Sequence, residues 1–245
     1  MINWKEKFDR IVCIHYMPHK NRLAKCRGEL DRVGILRSGV FSWKLTYDSP
    51  IYDKLYKTYN AAPSVGCMKI GLAHYEVIKE SYELGMKRIL ILENDDIFLK
   101  DLDEIERIIN NLPEYDIILL DKIPAKGANY EEALEHDRIN DDFINIGKKL
   151  YVLANCYCLN RKGMEHVIKN QEADLAISDS YLRYRAGAIE EPGLTRCAAI
   201  TPIAIQNPGF AADSENAKMA ATHKGINSNI DDYKRLGIDF EKYNQ

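Results

Sequence analysis

An apolar run that ends abruptly in acidic residues is the most constraining feature of the sequence. Residues 89 to 92 are all aliphatic, which predicts a strand buried on both faces of a parallel sheet. Glu93, Asp95 and Asp96 follow at once, and the rise of an extended chain keeps these carboxylates within about 10 Å of chain. Because ligands of open α/β sheets bind at the carboxyl ends of the strands, we expect the acids to face a binding crevice.

Crowded carboxylates repel one another unless a cation lies among them. Carboxylate oxygens suit Mg²⁺ or Mn²⁺, and such an ion commonly completes its coordination with substrate phosphates. The turn therefore predicts a site for a metal ion and a diphosphate. The alternative is an acidic turn that caps a helix beginning near Asp101, since carboxylates favour a helix amino terminus. The turn alone leaves both interpretations open.

Length and composition predict an ordinary globular domain. The 245 residues, 46% hydrophobic and 29% charged, suffice for one sizeable α/β core. The sequence contains no stretch of about 18 apolar residues and no signal-peptide pattern, so we expect a cytoplasmic protein. Its six cysteines are scattered, which predicts reduced, packed thiols rather than a metal knuckle.

The amino-terminal segment is basic although the chain as a whole is acidic. Residues 1 to 37 carry nine Lys and Arg against four Asp and Glu, a local charge of +5 that leaves −8 for the rest of a chain with net charge −3. We expect a small anionic ligand and no nucleic-acid partner, because no nucleic-acid recognition motif accompanies the charge. Weak peripheral contact with an anionic membrane is the alternative.

Alternation of strand and helix patterns predicts a layered α/β domain with a mainly parallel sheet. His74 projects from the apolar face of one predicted helix, which is typical of a hydrogen-bonded core histidine. The long polar segments 121 to 149 and 207 to 229 are interpreted as mobile covers over the carboxyl edge of the sheet, with disorder as the alternative. Strands are predicted at 10–15, 41–47, 88–93, 115–120 and 150–158, and helices at 19–33, 68–84, 101–111, 161–169 and 178–185.

Five segments, taken in order along the chain, share a pattern with a known enzyme family. They are IVCIHYMPHKNR (11–22), GCMKIGLAHYEVIKESYELGMKRILILENDD (66–96), YDIILLD (115–121), ANCYCLNRKGMEHVI (154–168) and ITPIAIQNPGFAADSE (200–215). Together they resemble glycosyltransferase family 25, which includes lipooligosaccharide and procollagen galactosyltransferases. The sequence departs from that family in three places: the family's Ser-His pair is Ala73-His74 here, its first-strand Asn is His15, and its Glu-Asp-Asp is extended by Asn94. The extra residue allows two registers for the acids.

The resemblance implies a GT-A-like, Rossmann-type fold that transfers a hexose, in first place galactose, from a UDP-sugar with inversion. The acceptor would be a hydroxyl of a glycan, a lipid-linked glycan or a protein, with lipopolysaccharide biosynthesis as the expected setting. The chain would form a single domain. Its parts would be a nucleotide-binding half at 1–120, an acceptor-side half with loops at 121–229 and a carboxyl-terminal tail at 230–245.

The resemblance also implies which residues bind the donor and its Mn²⁺ or Mg²⁺. Asp96 directly precedes Ile97-Phe98, as the final aspartate of the family motif does, and is the expected principal metal ligand. Asp95 or Glu93 would assist directly or through water. His223, late in the sequence, would be a further metal ligand; the alternative is that it is an exposed loop histidine. The expected donor-binding residues are His15, Arg22, His74, Asn94 and Asp95.

An inverting displacement needs a base that takes the acceptor proton, and a carboxylate is the usual group. Asp179 is the candidate because the family also has an aspartate in the corresponding segment. Its alternative role is helix N-capping. Glu190 and Glu191 are the reserve candidates.

Two other hypotheses stay open beside a glycosyltransferase. A sugar nucleotidyltransferase would normally carry a Gly-rich amino-terminal turn, and HYMPHKNR at 15–22 lacks glycine. A catalytically degenerate nucleotide-sugar-binding protein is suggested by Asn94 and the shifted acids.

Overall fold

The computed structural model describes residues 2–17, 20–47, 65–121, 123–124, 137–146, 151–152, 155–174, 193–207 and 239–243. Helices and strands alternate along most of this part of the chain. The helices are α1 (Trp4–Lys7), α2 (Lys20–Arg32), α3 (Val65–Glu83), α4 (Leu102–Asn110) and α5 (Arg161–Asp174). The strands are β1 (Arg10–Tyr16), β2 (Phe41–Thr46), β3 (Arg88–Glu93), β4 (Asp96–Phe98), β5 (Ile117–Leu119), β6 (Ile123–Pro124), β7 (Phe143–Asn145), β8 (Tyr151–Val152), β9 (Cys156–Asn160), β10 (Arg196–Ala199) and β11 (Ala204–Gln206).

Seven of the described strands form the main sheet, in the order β2-β1-β3-β9-β5-β10-β7. β1 runs parallel to both β2 and β3, and β5 runs parallel to β10. β9 is antiparallel to β3 and β5, and β7 is antiparallel to β10. Because five strands share one direction, the predicted α/β class with a Rossmann-type, mainly parallel sheet flanked by helices is confirmed.

The strand order reverses between β1 and β3. From β1 the chain proceeds to β2 on one side, and it returns to β3 on the other side of β1. Such a reversal leaves a crevice at the carboxyl ends of the two central strands, where open α/β sheets bind their ligands. The acidic turn after β3 lies at this crevice.

Both faces of the sheet are covered by helices, which explains the continuous apolar sequence of β3. Leu90 and Leu92 belong to an apolar layer shared with α1, α2 and α4, whereas Ile89 and Ile91 belong to a layer shared with α3 and α5. All four are fully buried. Each such side chain contributes about 1.5–3 kcal/mol by leaving water. Burial of these four residues holds β3 in the sheet, and the strand ends where the buried run stops, at Glu93.

Two expectations for the second half need correction. The single strand predicted at 150–158 is two short strands, because β8 pairs with β6 in a separate sheet while β9 enters the main sheet. The interpretation of all of 121–149 as a cover is also wrong, since β7 is an edge strand of the main sheet. Phe143 and Ile144 are fully buried, and they hold this segment in the core. The helix predicted at 178–185 lies outside the described residues.

The helix predicted at 101–111 is present as α4. Asp101 caps α4, with its carboxylate accepting hydrogen bonds from the backbone N–H groups of Asp103 and Glu104. The five cysteines whose side chains are described are buried thiols outside any disulfide. None of the described helices is long and apolar enough to span a bilayer.

Candidate functional site

The pairing register of β1 and β3 places the turn after β3 next to the end of β1. Ile14 pairs with Glu93, so the next residues on the two strands, His15 and Asn94, lie side by side. The Asn94 amide nitrogen donates to His15 Nδ1 at 2.6 Å, and both side chains are buried. The predicted donor-binding pair is therefore brought together, and Asn94 serves here as a hydrogen-bond donor.

Asp95 is anchored by three side chains. Its carboxylate accepts from the amides of Asn155 and Gln206, each at 3.1 Å, and lies 3.5 Å from an Arg22 guanidinium nitrogen. Burial and the nearby Glu93 raise the pKa of Asp95 to about 6, against the lowering effect of Arg22. Arg22 is itself buried, and its guanidinium lies against Asp95 just after the end of β3.

Asp96 is buried and incompletely hydrogen bonded. Its Oδ2 accepts from the Glu93 backbone N–H at 3.2 Å, whereas its Oδ1 accepts no hydrogen bond from any described residue. Burial, followed by the charge of Asp121, raises the pKa of Asp96 well above its usual value. Because Asp101 caps α4 and Asp96 is buried beside other acids, the interpretation of this turn as a helix cap is wrong.

Asp121 joins the acids from just after β5, and it was not among the site residues predicted from the sequence. Its Oδ2 accepts from the Asn155 backbone N–H at 2.6 Å, and within the described part of the chain its Oδ1 has no donor. Burial raises the pKa of Asp121 well above its usual value although backbone N–H groups of Cys156 and Asn155 oppose the shift. Asp121 follows a run of aliphatic residues just as Glu93 does, and that parallel could have identified it.

Asn155 connects the ends of β3 and β5. Its carbonyl accepts from the Glu93 N–H at 2.8 Å, its own N–H donates to Asp121, and its amide donates to Asp95. This position follows from β9 running antiparallel between β3 and β5. No local sequence pattern encodes it.

Glu93 is oriented by a buried pair on the α3 face of the sheet. His74 Nε2 donates to Glu93 Oε1 at 3.2 Å, and His74 Nδ1 lies 2.8 Å from the Tyr157 hydroxyl, which donates when the imidazole is neutral. The His74 and Tyr157 rings also stack with centroids 5.7 Å apart. His74 is thus the hydrogen-bonded core histidine that the sequence predicts, and it touches the acidic site through Glu93.

We expect Tyr157→Phe to lower the free energy of unfolding by about 1–3 kcal/mol, because it leaves His74 Nδ1 buried without a donor. Urea denaturation measures the change. Tyr82→Phe is the matched control: the Tyr82 ring packs on Arg161 at 4.1 Å, a contact that phenylalanine retains. Equal effects of the two substitutions would contradict the role given to the Tyr157 hydroxyl.

A cleft of about 650 Å³ opens between α2 and the acidic turn. Asn94 and Asp96 line it from the turn, and Lys25 and Lys100 bring positive charge to its walls. Carboxylates beside cationic side chains suit a ligand that carries both phosphates and a divalent ion. The remaining lining residues are Cys26, Gly28, Glu29, Arg32, Ile97, Asn207 and Tyr243.

The described acids fit a cation held by few protein groups. No group of three or more His, Cys, Asp or Glu side chains that could hold a metal ion occurs among the residues described. Asp96 nevertheless keeps a buried oxygen without a donor at the cleft, and Mg²⁺-type sites commonly use one or two carboxylates plus phosphates and water. Four predicted site residues lie outside the described residues, namely Asp179, Glu190, Glu191 and His223.

No protein-family model matches the chain, and no curated protein matches it. Solved structures that match the chain include apo mouse xyloside xylosyltransferase 1, at TM-score 0.38 and 13% identity over 76% of this chain and 83% of that one. A CMP:2-keto-3-deoxy-manno-octonic acid synthetase complexed with CTP has TM-score 0.38 and 11% identity over 87% and 98%. The apo glycosyltransferase GlyE of Streptococcus pneumoniae TIGR4 has TM-score 0.39 and 12% identity over 95% and 52%. At this level of similarity, the matches assign no activity to this chain.

Proposed function

We propose that this protein is a metal-dependent inverting glycosyltransferase of the family 25 type. It transfers a hexose, with galactose the first candidate, from a UDP-sugar to a hydroxyl group of a glycan, a lipid-linked glycan or a protein. The observation that carries the proposal is Asp96, a buried carboxylate with an oxygen that accepts no hydrogen bond from the described residues, at a cleft where the strand order reverses. Lipopolysaccharide assembly at the cytoplasmic side of a membrane is the proposed setting.

The chemistry requires a counter-charge for the leaving UDP. A divalent ion, when bound, supplies it as a Lewis acid on the diphosphate. In this chain Asp96 would hold the ion. Lys25 and Lys100 line the same cleft and attract the phosphates, while Asp95 fixes the turn through Arg22, Asn155 and Gln206. The proposed base, Asp179, would take the proton of the acceptor hydroxyl.

A panel of nucleotide sugars, each tested with and without Mn²⁺, examines this proposal by thermal shift and by UDP release. A UDP-hexose at about 100 times its Kd should add about 2.7 kcal/mol, which is a rise in Tm of about 5–11 °C for a chain of this size. We expect that rise to require Mn²⁺ and to be accompanied by UDP release once an acceptor is added.

The other outcomes distinguish the alternatives. Stabilisation without UDP release from any donor would favour the degenerate binding protein. Pyrophosphate release from a nucleoside triphosphate and a sugar phosphate would favour the nucleotidyltransferase. Absence of stabilisation by every nucleotide tested would contradict a nucleotide site altogether.

A further inference from the structure

Asp121 is a buried acid to which the proposed mechanism gives no role. Its side chain is 1% exposed, and Oδ1 has no hydrogen-bond donor among the described residues. An ionised carboxylate buried in this way is costly unless a positive charge or a set of donors compensates it. Asp96 is 4% exposed, and its Oδ1 likewise has no hydrogen-bond donor among the described residues.

The two carboxylates are held in one backbone frame. The Glu93 N–H contacts both Asp96 Oδ2 and the Asn155 carbonyl, at 3.2 and 2.8 Å, and the Asn155 N–H donates to Asp121 Oδ2 at 2.6 Å. One oxygen of each aspartate is therefore fixed by the main chain, and the other is left over. Electrostatic repulsion between the pair contributes to the raised pKa of Asp96.

The neighbouring charged side chains are bonded to other groups and do not compensate the remaining oxygens of Asp96 and Asp121. The Arg22 guanidinium lies against Asp95, and within the described ranges neither Asp96 nor Asp121 forms an ion pair with a Lys or Arg. Both oxygens of Asp95 already accept hydrogen bonds, from Asn155 and Gln206. Glu93 Oε1 already accepts from His74.

We propose that Asp121 is the second protein ligand of the divalent cation, so that Asp96 and Asp121, from the ends of two different strands, hold it between their remaining oxygens. The inference rests on the proposed function, because it places the same cation beside the same cleft. It moves the assisting role from Asp95 or Glu93 to a residue that lies 25 positions after Asp96 in the sequence. Substrate phosphates and water would complete the coordination on the cleft side.

The test is a titration of the metal-free protein with Mn²⁺, in which electron paramagnetic resonance measures the concentration of free Mn²⁺. We expect wild type to bind Mn²⁺ and both Asp96→Asn and Asp121→Asn to weaken binding by about tenfold or more. Glu93→Gln should stay within about threefold of wild type, because the Glu93 side chain is bonded to His74 rather than to either proposed ligand, so the substitution removes only a nearby, partly exposed charge.

Metal-free thermal stability separates a ligand from a merely structural acid. Asp121→Asn removes one of two repelling charges and keeps an acceptor for the Asn155 N–H, so Tm without metal should stay level or rise. Asp116→Asn is the matched control at the opposite end of β5, where Asp116 accepts from the Thr195 N–H and hydroxyl and from Asn160. It should lower Tm and leave Mn²⁺ affinity unchanged.

Each result decides one question. Unchanged Mn²⁺ affinity in Asp121→Asn, or loss in Glu93→Gln with retention in Asp121→Asn, would overturn the inference and leave the proposed function standing. Mn²⁺ held by both aspartates without turnover of any nucleotide sugar would overturn the proposed function alone. Absence of Mn²⁺ binding by wild type would overturn the inference, and the two acids would then share a proton instead.

Discussion

Asp96→Asn is expected to lower kcat/KM for the UDP-sugar by about a thousandfold, which corresponds to about 4 kcal/mol of lost transition-state stabilisation. A bound cation supplies several kcal/mol by neutralising charge on a departing phosphate, and Asp96 is the carboxylate that both lines the cleft and has a buried oxygen without a described donor. Steady-state UDP release at saturating Mn²⁺ measures the effect.

The fold of the Asp96→Asn variant should be intact. Asparagine matches the shape of aspartate, its carbonyl still accepts from the Glu93 N–H, and one charge leaves a site where burial raises the pKa of Asp96. The stability of the metal-free variant should therefore equal or exceed that of wild type. A large loss of turnover together with retained stability would locate the defect in the chemistry.

Asp101→Asn is the matched control for this substitution. Asp101 lies five residues further along and caps α4 from an exposed position, where asparagine caps about as well as aspartate. Turnover should stay at the wild-type level. If Asp96→Asn also kept wild-type turnover, no metal-dependent role of the acidic turn could stand.

The sequence predicted the central half of the fold well because burial there leaves a local pattern. β3 is covered on both faces, so residues 89 to 92 are all aliphatic, and its end is marked by the change to Glu93. The helix that begins near Asp101 and the first two strands follow from similarly local rules. For these elements, the forces that fix the structure act on residues close together in the chain.

The rest of the site depends on contacts between distant segments. Periodicity does not reveal strand direction, so the antiparallel insertion of β9 between β3 and β5 was not predicted. That insertion places Asn155 between Glu93 and Asp121, 62 and 34 residues away in sequence. The polar segment around β7 was likewise misinterpreted, because two buried residues, Phe143 and Ile144, suffice to hold an edge strand.

The start of α5 is packed so closely against β5 that glycine is required there. Gly163 is the third residue of the helix, and its N–H donates to the side chain of Asn160, which caps the helix, at 2.9 Å. A Cβ at this position would lie 2.1 Å from the Asp116 carbonyl oxygen and 3.0 Å from the carbonyl carbon. Both are main-chain atoms next to β5, so no side-chain rotation relieves the contact.

We expect Gly163→Ala to lower the free energy of unfolding by about 3 kcal/mol or more, at the upper end of the range for overpacking. Alanine favours helix by about 1 kcal/mol relative to glycine, and the clash outweighs that gain. For a chain of this length the loss corresponds to a fall in Tm of about 6–12 °C. Urea denaturation and a thermal scan measure it.

Gly28→Ala should change the free energy of unfolding in the opposite direction in the same experiment. Gly28 lies within α2, and a Cβ there would meet no atom within 4 Å. Only the helix preference then operates, so this variant should gain about 0.5–1 kcal/mol. A gain at both glycines would mean that α5 can move away from Asp116, and the close helix–sheet contact would not be what fixes glycine at position 163.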